Sequence, residues 1–99
     1  MNTVTKEEWA DALRSGKFKQ HHGTLSNAKV ASQLSKATAF CCIGVLGVLA
    51  GITTSNEQDS AYKLAEELTG GRQGTLVNKN DTYRNTFEEI ADYLDTLVV

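Results

Sequence analysis

Apolar residues recur at helical spacing at both ends of this chain, and one stretch between them is apolar throughout. Near the start, Thr5-Lys-Glu-Glu8 has the form of a capping box, in which hydroxyl and carboxylate satisfy each other's backbone amides. Trp9, Ala12 and Leu13 then share one face, and Ser15-Gly16 closes this first helix because glycine accepts the left-handed conformation. Lys17-Phe-Lys-Gln-His-His-Gly23 reads as a short strand entering a turn, with Phe18 inward. Residues 24–38 fit either a short helix through Val30, Ala31 and Leu34 or a long hairpin loop. Residues 39–52 form an unbroken apolar run, and Ile43 to Ala50 reads as a buried helix. Its glycines, Gly44, Gly47 and Gly51, sit at spacings of three and four, which predicts close approach by another element.

The second half is more regular. Ser55-Asn-Glu-Gln58 caps a helix through Tyr62, Ala65 and Leu68 that stops at Gly70-Gly71. Thr75–Val77 reads as a small strand and Asn78–Thr82 as a polar turn. Thr86-Phe-Glu-Glu89 caps a last helix whose Phe87, Ile90, Ala91, Leu94 and Leu97 form a continuous stripe. The expected fold is therefore a small single α+β domain spanning residues 1–99. Its helices pack around a minimal antiparallel sheet, and one of them is a buried glycine-rich helix. The expected core is Trp9, Leu13, Phe18, Phe40, Ile43, Leu46, Leu49, Leu68, Leu76, Phe87, Ile90 and Leu94.

Length and composition agree with a single soluble domain: 99 residues, 40% hydrophobic, 22% charged and no proline. The N-terminus lacks the basic-then-apolar order of a signal peptide, so a cytoplasmic protein with reduced thiols is expected. The apolar run is shorter than the ~20 residues that a membrane span needs, so no membrane association is expected. An apolar stripe running to Val99 on a chain this small predicts a two-fold homodimer.

The net charge of −2 conceals an asymmetry. Residues 1–50 hold six Lys/Arg against three carboxylates, a balance of +3, whereas residues 51–99 hold four against nine, a balance of −5. The two halves either face each other across one fold or present separate surfaces. An acidic face on the last helix, Glu88, Glu89, Asp92 and Asp95, would dock a basic host protein. A basic face, Arg14, Lys17, Lys19, His21 and His22, would hold an anionic nucleotide or nucleic acid.

Catalytic and metal chemistry find little support. Adjacent Cys41 and Cys42 cannot form an ordinary disulfide, lack metal or redox spacing, and sit in apolar sequence that keeps thiols protonated. His21-His22 has no sequence-identifiable nucleophile or orienting partner. Gly70-Gly71-Arg72-Gln73-Gly74 lacks the Gly-Lys-Ser/Thr of a phosphate loop. Asn78–Thr82 lacks the order of a calcium loop. The expectation is a non-enzymatic protein without cofactor or metal.

Three blocks occur in order: Leu13-Arg-Ser-Gly-Lys-Phe-Lys-Gln20, Phe40-Cys-Cys-Ile-Gly-Val-Leu46 and Phe87-Glu-Glu-Ile-Ala-Asp-Tyr-Leu94. In these blocks the chain resembles a set of small proteins encoded by bacteriophages and prophages. The resemblance implies expression inside an infected bacterium and no particular reaction. Relatives often carry a short Gly- and Arg-containing hairpin between the first two blocks. Here His21-His22 and a longer Ser/Ala/Lys stretch stand there, so a role of that hairpin does not carry over. The expected function is a phage-type accessory protein that binds a bacterial host macromolecule stoichiometrically, most concretely as an inhibitor of an anti-phage defence system. The rival expectations are a binding module for an anionic nucleotide signal or nucleic acid, and a small structural or assembly protein.

Overall fold

A computed structural model describes residues 3–22, 39–51 and 58–97, with the side chains of Gln58 and Asp59 excepted. The elements run α1 (Lys6–Arg14), β1 (Lys19–Gln20), β2 (Ala39–Phe40), α2 (Cys42–Leu49), α3 (Gln58–Thr69), α4 (Gln73–Asp81) and α5 (Phe87–Thr96). The domain is α+β. The helix-or-loop question at 24–38, the expected cap at 55–57 and the final Val98-Val99 lie outside the described residues.

α1 and α5 form where local sequence calls for them. The Thr5 hydroxyl accepts from the Glu8 amide at 3.1 Å while the Glu8 carboxylate accepts from the Thr5 amide at 3.3 Å. The same box recurs at Thr86 and Glu89, at 3.2 and 2.9 Å. Gly16, at φ +76°, ends the first helical segment. Trp9, Ala10 and Leu13 are the buried side of α1, and Phe87, Ile90, Ala91 and Leu94 that of α5. The two helices make the most extensive contact between elements of the fold.

α2 lies at the centre, buried from Cys42 to Gly47 on every side, as its unbroken apolar composition requires. Its first turn is held from two directions. The Cys41 thiol sulfur accepts from the Gly44 amide at 3.3 Å, a cap normally supplied by an oxygen. The Trp9 indole N–H donates to the Cys42 carbonyl at 2.9 Å, which lets a fully buried tryptophan keep its hydrogen bond. Ile43, Val45 and Leu46 complete one core with Trp9, Leu76, Ile90 and Leu94. Phe18, Leu49 and Leu68, expected inside, are half-buried and pack against its edge. Phe18 meets Phe40 edge-on, with centroids 5.8 Å apart.

Two expectations are corrected. The sheet is parallel, not antiparallel: Lys19 pairs with Ala39 and Gln20 with Phe40, and the His21 amide extends the ladder to the Phe40 carbonyl at 2.7 Å. The intervening chain is long enough for the crossover that parallel strands require, which a hairpin reading ignores. The segment read as a strand at Thr75–Val77 and a turn at Asn78–Thr82 is helix α4, which continues to Asp81. Its buried positions are Leu76 and Asn80, one apolar and one polar at a spacing of four, so no apolar stripe announces it. The turn falls later, at Thr82–Asn85. α3 ends as expected, with Gly70 at φ +65° and Gly71 at +90°.

Candidate binding surfaces

Arg14 occupies the last turn of α1, and Asp92 and Asp95 lie one turn apart on α5. The packing of the two helices brings them together. One guanidinium nitrogen of Arg14 bridges Asp92, at 2.7 Å, and Asp95. Both carboxylates raise the guanidinium above its ordinary pKa through these hydrogen bonds. The two surfaces expected to be rivals therefore meet, and their opposite charges partly cancel.

The remaining acidic residues divide. Glu89 closes the capping box and also accepts from the Asn85 side chain at 3.3 Å. Hydrogen bonds from Thr86, backbone first and then side chain, hold its carboxyl below the usual value. Glu88 is exposed and has no partner among the described residues. On the basic side, Lys17 and Lys19 are exposed, with no carboxylate in ion-pair range among the described residues. Phe18 between them turns inward onto Phe40, so the alternation expected from an extended segment is present.

His21 and His22 are half-buried and belong to a different arrangement. Asn80, fully buried on α4, is its hub. Its side-chain oxygen accepts from the Gln20 side chain at 2.9 Å and from the Cys42 amide at 3.3 Å. Its side-chain nitrogen donates to the His21 carbonyl at 2.9 Å and to the Asp81 carboxylate at 2.7 Å. His22 Nδ1 lies 2.6 Å from the Asn80 carbonyl, an acceptor only, so the proton sits on Nδ1. Gln20 reaches on to the Asn85 carbonyl at 2.7 Å. One buried amide thus ties β1, the start of α2 and the end of α4 into a unit.

The thiols are inward as well. Burial pushes the Cys41 thiol up to about 11, and the Cys42 thiol is likewise raised well above its ordinary range. Cys42 points its sulfur at the Leu76 carbonyl at 3.7 Å. Among the described residues no three His, Cys, Asp or Glu side chains are grouped to hold a metal ion, and no helix is long and apolar enough to cross a membrane. A shallow depression on α3, lined by Ser60, Lys63, Leu64 and Glu67, presents one cation and one carboxylate.

Sequence reasoning passed over two features. Asn80 was hidden in a polar run that reads as a turn; its burial follows only from where α4 packs. Tyr83, at 72% the exposed large hydrophobic residue among those described, and Arg84, at φ +53°, form the turn between α4 and α5. The adjacent tyrosine and arginine in a polar stretch were the available signal.

No curated protein and no solved structure matches the chain. The family model described as Domain of unknown function (DUF8296) matches residues 1–68, which take in α1, the two-strand ladder, α2 and all but the last residue of α3. With its match covering more than half of the sequence, the chain belongs to the DUF8296 family.

Proposed function

We propose that the protein works by stoichiometric binding to a bacterial macromolecule, as a phage-type accessory protein whose most concrete role is to inhibit a host anti-phage defence system. The observation that supports binding over catalysis is the direction in which its reactive side chains point. Cys41 caps a helix, Cys42 faces a buried carbonyl, and His22 is bonded to the Asn80 backbone. Each is engaged inside the fold, whereas charged groups and Tyr83 face outward. The three sequence blocks shared with phage-encoded proteins support the host setting.

The acidic face supports this reading less than its sequence promised. Asp92 and Asp95 hold Arg14, and Glu89 holds the start of α5, which leaves Glu88 as the carboxylate of that set without an intramolecular partner among the described residues. Lys17 and Lys19 are free by the same measure, an observation that favours an anionic partner.

Tagged protein added to bacterial lysate, with and without nuclease treatment, tests the proposal. The expected result is retention of one macromolecule near a one-to-one ratio. Expression in a defended strain should raise phage plating in proportion to dose. Protection that persists when the defence component greatly outnumbers the protein would indicate turnover and overturn the binding reading.

A further inference from the structure

The turn between α4 and α5 sets an exposed ring beside a cation whose left-handed backbone closes the helix. Tyr83 stands out of the surface, 72% exposed, where most large hydrophobic side chains are covered. Arg84 beside it adopts φ +53°, a conformation that glycine enters freely and that any residue with a Cβ disfavours. A glycine would suit the backbone better, yet the position carries a long cation. Strain of this kind, retained in a rigid frame, is a pointer to function.

The frame is rigid. The Thr82 and Tyr83 amides both donate to the Asn78 carbonyl at 2.9 Å, and the Asn85 amide donates to the Lys79 carbonyl at 2.8 Å. The turn is also fixed against β1, because Gln20 donates to the Asn85 carbonyl at 2.7 Å. That bond joins the immediate neighbours of Lys19 and Arg84, so the two exposed cations flank a single contact. Lys17, two residues before Lys19, is exposed as well. Of the carboxylates near Arg84 along the chain, Asp81 is hydrogen-bonded to Asn80 and Glu89 to Thr86 and Asn85, and Glu88 is exposed without a partner among the described residues.

We infer that Tyr83, Arg84, Lys19 and Lys17 form a binding surface for single-stranded nucleic acid. The tyrosine ring offers a face on which a base stacks, and the cations on either side meet the backbone phosphates. A protruding ring suits a strand running past it, whereas a small ligand requires a concavity that encloses most of its surface. Stacking on any base is sequence-tolerant, so the surface discriminates strand form more than sequence. The inference rests on the binding reading above and gives its partner a chemical class.

The test is fluorescence anisotropy of the full chain with labelled mixed-sequence 12-mers of DNA and RNA, at about 50 and 200 mM salt. Single strands should bind and duplex should bind more weakly, with affinity falling as salt rises. Tyr83→Ala should weaken binding by about tenfold or more. Arg84→Gly should also weaken it and reduce the salt slope by about 0.7, while leaving the melting temperature equal or higher because the turn loses its strain. Lys17→Gln with Lys19→Gln should act in the same direction without altering the circular dichroism spectrum. Failure of single strands to bind, or unchanged affinity in Tyr83→Ala and Arg84→Gly, overturns the inference. A free mononucleotide that binds as tightly as the 12-mer also overturns it. If these fail while nuclease-treated lysate still yields a one-to-one protein complex, the binding reading stands and only the nucleic-acid assignment is lost.

Discussion

Two polar networks tie distant parts of this chain together, and they differ in almost every respect except that purpose. The Arg14 bridge joins α1 to α5 in view of solvent, through full charges. The Asn80 hub joins β1, α2 and α4 in the interior, through a neutral amide. In water the charged groups of the first have almost as good an alternative when the helices part. Of the groups held by Asn80, the Cys42 amide has none, because it and the Asn80 side chain lie in the core. Formal charge is therefore a poor guide to which network matters, and burial is a good one.

The strongest attempt to break this ranking is Asn80→Leu. It keeps the number and branching of the side-chain heavy atoms but strips partners from Gln20, the His21 carbonyl and the Cys42 amide. A loss of about 3 kcal/mol in urea unfolding is expected. A variant as stable as the parent would mean that the hub is decorative.

Alkaline pH probes the same buried region next. Cys41 has its folded pKa raised to about 11 by burial, so the unfolded chain releases its thiol proton first. Folded stability is then complete below the ordinary thiol range and declines as pH rises from there towards about 11. The expected decline is about 2 kcal/mol. Thiol-specific labelling at pH 8 should be slower than in the denatured chain by at least about a hundredfold. Rapid labelling of the native protein would show that these sulfurs are accessible after all.

Thr86→Ala sits between the two networks, since it removes an exposed cap from a helix that is itself buried on one side. A loss of about 1 kcal/mol is expected. Glu89 has its folded pKa lowered by Thr86, so its contribution is present above the ordinary carboxylate value and lost as pH falls through the folded one. The variant should weaken that acid dependence without abolishing it, because the backbone amide of residue 86, the larger cause, remains.

Arg14→Gln should have the smallest effect. Unfolding midpoints at physiological salt should overlap those of the parent and separate only at low salt, where exposed charges are least screened. An effect as large as that of Asn80→Leu would reverse the comparison.

The same contrast explains what could be read from the residues alone. The caps at Thr5 and Thr86, the glycine stops at Gly16 and Gly70-Gly71, and the apolar faces of α1 and α5 are local patterns, and each appears where it was expected. α2 was placed within one residue at each end because its composition leaves it nowhere to go but inward. α4 was missed because one of its two buried positions is an asparagine whose partners lie about 40 and 60 residues away. Strand direction was missed for a related reason, since two-residue strands carry too little alternation to fix it. At the candidate surfaces, the charges were visible but their pairing was not. Nothing local connects Arg14 with Asp92 and Asp95, 78 and 81 residues later.

The α1–α5 contact also bears on how the molecule comes into being. α1 is made more than 70 residues before α5, the helix that covers much of it. Lys6 even donates to the Leu97 carbonyl, at the far end of α5. At about 5–20 residues per second, the nascent chain exposes Trp9 and Leu13 for several seconds before their partner emerges. Final assembly thus awaits the synthesis of α5, and a ribosome that stops before residue 87 releases a chain with an open apolar flank, a natural substrate for chaperones and proteases.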